Sequence, residues 1–487
     1  MIGSEVVASD VVDNNESDVI SAIATPPGRG AVGIVRISGK DALEVFGRIF
    51  RMGTVSNTSD ICHKWQSHRM YYGQIFSGPN SSDEYVDEVM ACPMLAPRSY
   101  TREDVIEIYA HGGMATLHGV LNATINNGAR LALPGEFTKR AFLNGRINLT
   151  QAEAVMDLIS AQTSAARRAG LRQLGGGLSQ RITQGRDILL VWLAHIELSI
   201  DYPEHETEAM NREAILHEGQ DWLKDMNNLL KTAGLGQVLR EGVKTAILGR
   251  PNVGKSTLLN AILGEDRAIV HEIPGTTRDV LSEQVQLGDV VLRLMDTAGI
   301  RATDDPIESI GVDKSYEAAE DAELVLYVMD RSLPPAAIDI EILSKLRGKH
   351  ILIILNKCDL PADDLWDKFL DEFMTEYNGE NMAVISISAQ TRVGLDLLYD
   401  EIQHNFVKGT LYGEAEADII TRERHKILLE SAIEHVCHSM DELRAGVAED
   451  LVSIGLREAY TALGEILGME VSDDIVDRIF SEFCVGK

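Results

Sequence analysis

Residues 244–256, Lys244-Thr245-Ala246-Ile247-Leu248-Gly249-Arg250-Pro251-Asn252-Val253-Gly254-Lys255-Ser256, decide the fold of this chain. The first five form an apolar, β-prone run. The last eight fit the pattern Gly-x-x-x-x-Gly-Lys-Ser/Thr, and a helix is expected to start near Ser256. A glycine-rich turn between a strand and a helix N-terminus points several backbone N–H groups at one place, and the helix dipole adds positive potential there. A nucleoside polyphosphate fits such a turn. Lys255 would reach its β and γ phosphates, and the Ser256 hydroxyl would hold Mg²⁺.

The companion motifs follow in order. Gly275-Thr276-Thr277-Arg278-Asp279 is a plausible first switch, with Thr277 as second Mg²⁺ ligand. Asp296-Thr297-Ala298-Gly299 ends an apolar strand and fits a γ-phosphate sensor. Asn356-Lys357-Cys358-Asp359 ends another, and Ser388-Ala389-Gln390 follows the last. The Asp359 carboxylate can accept both the N1 and N2 protons of guanine, which adenine cannot offer, so the expected nucleotide is GTP. Its contacts are expected at Asn252, Val253, Gly254, Lys255, Ser256, Thr257, His271, Glu272, Ile273, Pro274, Gly275, Thr276, Thr277, Asp296, Thr297, Ala298, Gly299, Asn356, Lys357, Asp359, Ser388, Ala389 and Gln390. Ile300 follows the sensor, so the glutamine that orients water in Ras-like enzymes is missing. Glu308 is the best replacement by position, although residues alone favour a solvated helix residue. Asn252 alone likewise reads as a turn former after Pro251.

Working outward from the P-loop, residues 243–407 alternate strands (244–248, 290–296, 324–330, 351–356, 383–386) with helices, the pattern of a doubly wound, Ras-like α/β domain. Residues 147–242 and 408–487 instead carry apolar residues at helical spacing, as in Ala154, Leu158 and Ile159, then Ile188, Leu189, Trp192 and Ile196. The simplest arrangement is one helical domain split by an inserted G domain. Residues 18–146 form a small α+β domain, with strands expected at 20–24, 32–37, 86–92 and 105–111 and helices at 41–50 and 113–126. Residues 1–17 are acidic and polar and are expected to be a disordered extension.

The net charge is −30, from 45 basic and 75 acidic residues. That disfavours bulk attraction to phosphate backbones or anionic lipid, so an RNA partner needs a local basic patch or a second protein. Candidate patches are Arg167, Arg168 and Arg172, and Arg422, Arg424, His425 and Lys426, each of which also reads as a solvated helix face. The five cysteines, Cys62, Cys92, Cys358, Cys437 and Cys484, show neither CxxC pairing nor zinc-ligand spacing, which suits a reducing compartment. No Lys or Arg precedes Arg29, which opposes a secretory signal and a transit peptide. No run of about 18 apolar residues exists to span a membrane. The expected location is the cytoplasm.

The chain closes on Phe483-Cys484-Val485-Gly486-Lys487. With residues 24–30 (Ala-Thr-Pro-Pro-Gly-Arg-Gly), Pro134-Gly135-Glu136-Phe137-Thr138 and the G motifs, this tail resembles the MnmE (TrmE) family of GTPases that modify the tRNA wobble uridine. The likeness runs from Asp18 to Lys487. It implies an N-terminal folate-binding and dimerisation domain, and a split helical domain carrying the G domain. It further implies a homodimer that works with an MnmG-like FAD protein as a heterotetramer, FAD residing on that partner only. Together they would add a carboxymethylaminomethyl or aminomethyl group at C5 of the uridine, from a 5-formyl or 5,10-methylene-tetrahydrofolate one-carbon unit. K⁺-dependent GTP hydrolysis is implied too, with K⁺ held by Asn252, His271, Ile273 and Thr276 and water oriented by Glu308. Folate contacts carry over to Arg36, Glu107, Arg146 and Lys487. Arg146 stands where some members have lysine, which keeps the charge but not its geometry. Cys484 matches the family's C-terminal cysteine, in a nucleophilic or a positional role. Two other classes fit part of the pattern: a ribosome-assembly GTPase, and a folate enzyme in which GTP hydrolysis is regulatory.

Overall fold

The computed structural model describes residues 18–52, 65–80, 82–201, 212–264, 268–270, 283–295, 320–346, 348–363, 365–366, 369, 381–408 and 418–487. The chain divides into two compact units. One runs up to Met156 and takes in Leu467–Lys487, and the other is Asp157–Ile466.

The first unit is built on β1 (Ile20–Ile23), β2 (Val32–Ser38), β3 (Phe50–Arg51), β4 (Tyr71–Phe76), β5 (Tyr85–Met94), β6 (Val105–His111) and β7 (Arg130–Leu131). They lie in the order β3-β4-β5-β6-β2-β1-β7, antiparallel except for β1 with β7. Side chains alternate across a strand. Val35 and Ile37, Ile106 and Ile108, and Val89 and Ala91 therefore face a core closed by Val45, Phe46 and Ile49 of α1 (Ala42–Ile49) and Leu117, Val120 and Leu121 of α2 (Met114–Asn126). Phe46 stacks on Phe50 at 4.6 Å between centroids, with Trp65 tilted against both.

The same alternation puts Arg36 and Glu107 on the opposite face, where they are direct register partners on β2 and β6. That face is covered near β1 by Phe137 of α3 (Glu136–Leu143), which packs with Ile20, Ala22 and Ala132. Leu149 and Ala152, at the start of α4 (Leu149–Ser160), form a further small core with Val476, Phe480 and Phe483. β4, β7 and α3 were not expected from sequence. Gly73 breaks the apolar run of β4, β7 holds too few residues to show a period, and α3 buries polar Glu136, Thr138 and Arg140, so its inner face carries no apolar period.

In the second unit, α5 (Ser164–Leu174), α6 (Gly177–Asp201), α7 (Arg212–Leu230) and α8 (Ala233–Glu241) precede the second sheet. Leu178, Ile182, Leu189, Trp192 and Ile196 make a buried stripe on α6, and Ile215, Trp222, Met226 and Leu229 one on α7. The two indole N–H groups inside are satisfied, Trp192 by Glu218 Oε2 and Trp222 by the Gly185 carbonyl, both at 3.0 Å.

The second sheet contains β8 (Val243–Leu248), β9 (Ala268–Val270), β10 (Glu283–Leu287), β11 (Val290–Leu294), β12 (Leu324–Asp330), β13 (His350–Asn356) and β14 (Met382–Ser386). Its order is β14-β13-β12-β8-β11-β10-β9, with β10 antiparallel to both its neighbours, β11 and β9, and all other pairs parallel. Near-continuous apolar strands such as β12 are what a parallel sheet covered on both faces requires. Helices α9 (Lys255–Leu263), α10 (Ala337–Lys345) and α11 (Leu395–Gln403) connect them. Helices return as α12 (Glu423–Ala445), α13 (Glu449–Leu467) and α14 (Asp473–Ser481). Among the described residues, no helix is long and apolar enough to cross a membrane.

Candidate functional site

β8 is the point where the parallel order reverses, because β11 pairs on one side of it and β12 on the other. In open α/β sheets the ligand crevice lies beyond the carboxyl end of such a strand. The P-loop runs from there into α9. Gly254 caps that helix at φ +101°, and a Cβ there would lie 2.2 Å from Asn356 Nδ2. Only glycine fits that conformation and that approach.

Lys255 Nζ donates to the carbonyls of Gly249 and Arg250, each at 2.8 Å. Buried Asn356 ties two motifs together: its Nδ2 donates to Val253 O at 2.8 Å, and its Oδ1 accepts the Ala389 N–H at 3.0 Å. Lys357 adopts a left-handed φ of +64° and sends its ammonium to Asn252 O (3.2 Å) and Asp330 Oδ2 (2.5 Å). The three loops expected to make a nucleotide pocket are therefore braced on one another. Asp359 is exposed at the rim, beside Cys358, whose N–H donates to Ile387 O.

Asp330 escaped the sequence reading. Its signal was available, a carboxylate closing an apolar strand at the sheet's carboxyl edge. Burial raises its pKa, but hydrogen bonds from Lys357 and Ser332 outweigh that and hold it below the usual carboxylate range. Arg250, inside the P-loop, sits 3.2 Å from buried Asp339.

Of the other expected contacts, Asn252 has φ +63° and is exposed, Ser256 is half-buried and Thr257 is exposed in the first turn of α9, and Ser388 and Ala389 are buried while Gln390 is exposed. His271, Glu272, Ile273, Pro274, Gly275, Thr276, Thr277, Asp296, Thr297, Ala298, Gly299 and Glu308 lie outside the described residues. Cys62 does too.

The first unit brings a second set together. Arg36 Nε and Nη2 donate to Glu107 Oε1 at 3.1 and 2.8 Å, and Tyr109 OH donates to Glu107 Oε2 at 2.7 Å. Burial first, and that bond second, push the Tyr109 phenol up to about 12. The third arm of Arg36, Nη1, donates to the Gly486 carbonyl at 3.2 Å. Its guanidinium lies 5.2 Å from the Tyr100 ring and 5.5 Å from the Phe137 ring.

The tail is thus docked. Phe483 is buried, and the Gly135 N–H donates to Cys484 O. Gly486 has φ +93°, and a Cβ there would lie 2.4 Å from Ile23 O. Cys484 is itself exposed and Lys487 half-buried. Arg146 is exposed, stacked 4.7 Å over Tyr100, with Nη1 on Tyr100 O. Pro134–Thr138 serves this platform. Glu136 accepts from Arg130 and Arg140, Phe137 lies beside Arg36, and Thr138 Oγ1 shares a hydrogen bond with Tyr100 OH.

The two helical basic clusters do not survive as patches. Arg168 pairs with Asp289, Arg172 with Asp418, Arg422 with Asp157 and Lys426 with Glu423. Arg424 donates to the carbonyls of Glu465 and Ile466, and His425 is buried. Within these two clusters, Arg167 is the exposed residue with no carboxylate partner among the described residues.

A family profile described as the MnmE helical domain matches residues 149–484, and one described as the N-terminus of the GTP-binding protein TrmE matches residues 19–146. The chain belongs to the MnmE family of tRNA modification GTPases. It is 42% identical over 470 residues to the tRNA modification GTPase MnmE of Thermoanaerobacter pseudethanolicus, covering 96% of this chain and 99% of that one. The MnmE proteins of Clostridioides difficile and Enterococcus faecalis are each 43% identical, the matches covering 96% and 97% of this chain respectively and 99% of each relative. The MnmE likeness therefore spans both units.

Proposed function

We propose that the chain is a K⁺-stimulated GTP hydrolase that serves C5 modification of the tRNA wobble uridine together with an MnmG-like FAD protein, drawing a one-carbon unit from a tetrahydrofolate. The observation that carries the reading is the pairing of two sites in one chain: a braced guanine-nucleotide pocket, and a tail docked onto an Arg36–Glu107 pair. A plain ribosome-assembly GTPase has no need of the second.

In the nucleotide pocket, Lys255 and the N-terminus of α9 would hold the phosphates, and exposed Asp359 would select guanine. Ser256 in the first turn of α9 suits Mg²⁺, with Thr277 as its companion. The exposed Asn252 side chain suits K⁺, with His271, Ile273 and Thr276. A fixed cation there supplies charge that an arginine supplies in other GTPases. Glu308 is assigned to orient water.

The second site fits a flat heterocycle that both donates and accepts hydrogen bonds. Arg36 and Glu107 are 14% and 17% exposed, so the pair is reachable, and aromatic rings flank it. The carboxylate already accepts three bonds of about four it can take. A pterin ring would therefore take its last lone pair, or displace one Arg36 bond. Arg146 and Lys487 would border that ligand, which supplies the transferred carbon. Cys484, exposed beside it, is placed to act as a nucleophile or to shape the pocket. A homodimer through this unit, in a heterotetramer with the partner, and a cytoplasmic location complete the reading.

The test is nucleoside analysis of tRNA from a strain lacking the gene, with and without this chain restored. Return of the modified wobble uridine is expected, and unchanged nucleosides sink the reading. In vitro, GTP turnover in K⁺ is expected to exceed that in Na⁺; equal rates remove the role given to Asn252.

A further inference from the structure

The first unit carries basic side chains that no carboxylate neutralises. Arg98, Arg102 and Arg146 are all exposed, and none has an ion-pair partner among the described residues. Other exposed basic residues, such as Lys40, Arg167, Lys224 and Lys231, also lack an ion-pair partner among the described residues, so it is the grouping of these three on two adjoining loops that sets them apart.

The structure orients Arg102 and Arg146 without spending their charge, and fixes the backbone of Arg98 by its N–H to Leu95 O at 3.0 Å. Arg102 Nη1 donates to Asn144 O at 2.8 Å, Arg146 Nη1 to Tyr100 O at 2.7 Å, and Asn144 Nδ2 to Thr101 O at 2.7 Å. The loop 95–104 and the loop 144–147 are thereby knitted into one edge, with Arg98 in the turn two residues before Tyr100. The acids of this loop bond to other groups. Glu103 takes Arg140 and Ser38, and Asp104 Oδ1 accepts the Ala96 N–H at 2.8 Å. The edge is continuous with the docked tail, because Tyr100 lies between Arg146 at 4.7 Å and Arg36 at 5.2 Å, and Arg36 holds Gly486 O.

A group of exposed guanidiniums, two of them oriented by carbonyls, on an otherwise acidic protein matches the phosphate backbone of a nucleic acid. We infer that Arg98 and Arg102, with Arg146 at their border, form the contact for the phosphates of an RNA strand. Resting on the function proposed above, that strand is the anticodon arm of the tRNA, and the contact delivers a base toward the tail.

The experiment titrates the full chain with an unmodified tRNA transcript over a salt series, comparing wild type, Arg98→Ala/Arg102→Ala and Arg98→Lys/Arg102→Lys. Each phosphate contact on a single strand contributes a salt exponent of about 0.7, so each lost contact lowers affinity about 5-fold at 0.1 M salt. The double alanine variant is expected to bind about 25-fold more weakly, with a salt slope flatter by roughly 1.4. Its GTP turnover should be unchanged, and the lysine variant should keep most of the affinity because the charges remain.

Equal affinity and slope in the alanine variant overturn the inference. So does absence of transcript binding by wild type. In that case restored wobble modification in cells still upholds the proposed function through a partner that carries the tRNA, so the two failures are distinct. Lost modification in cells with unchanged transcript binding also overturns it, and assigns the edge to an acidic partner protein.

Discussion

At the scale of single residues, the nucleotide pocket depends on side chains that brace its loops on one another. Asn356 satisfies a buried carbonyl on the P-loop and a buried N–H at Ala389. Asn356→Ala leaves both unpaired, at a cost of about 1–3 kcal/mol for each group. A lower melting temperature and weaker GTP binding by titration are expected together. Loss of binding at unchanged stability would mean that Asn356 acts on the nucleotide directly. Asp330 gives a pH signature. Its folded-state pKa is held below the unfolded value of about 3.9, so its contribution is complete above that value and is lost as pH falls through the folded pKa. Asp330→Asn should therefore destabilise the protein at pH 7 and flatten the decline of melting temperature from about pH 4 downward. Parallel acid limbs for variant and wild type would rule out this linkage.

Among the elements, α14 explains why the tail stays docked. Val476 and Phe480 on its inner side join Leu149, Ala152 and Phe483 in a small core, and Phe480 and Phe483 are 5.1 Å apart between ring centroids. Phe483→Ala removes a buried ring from that core, and the cost of such truncations is about 3–5 kcal/mol. The tail should then release. Limited proteolysis near Val485 is expected to accelerate, while nucleotide affinity stays the same. A tail as protected as in wild type would show that the Gly486 and Cys484 carbonyl bonds suffice. The five parallel strands of the second sheet are plain in the sequence because buried parallel strands read as unbroken apolar runs, whereas the antiparallel edge of β9 and β10 was not expected. The strand β7 and helix α3 are not plain, because β7 is too short for a period, the buried face of α3 is largely polar, and both are held by tertiary contacts, as with Glu136 between Arg130 and Arg140.

For the whole molecule, the grouping of Leu467–Lys487 with the unit that ends at Met156 yields a truncation test. A chain ending at Ile466 lacks Val476, Phe480 and Phe483, and with them a core of the first unit. Its first unit should unfold at lower temperature, with GTP affinity within about twofold of wild type because no P-loop contact is lost. A matching fall in GTP affinity would mean that the units are energetically coupled. Sequence alone determined the nucleotide class, the order of the G motifs and the family, since each depends on residue types at fixed local spacing. The docking of Phe483–Lys487 rests on pairs such as Arg36 with Gly486, 450 positions apart. The same holds for which arginines carry usable charge: Arg168 and Arg172 look free in a helix and are paired across the fold, whereas Arg98 and Arg102 look incidental in a loop and stand exposed with no ion pair among the described residues. Only the tertiary structure decided those matters, because an ion pair or a buried tail is made by groups that chain order does not bring near.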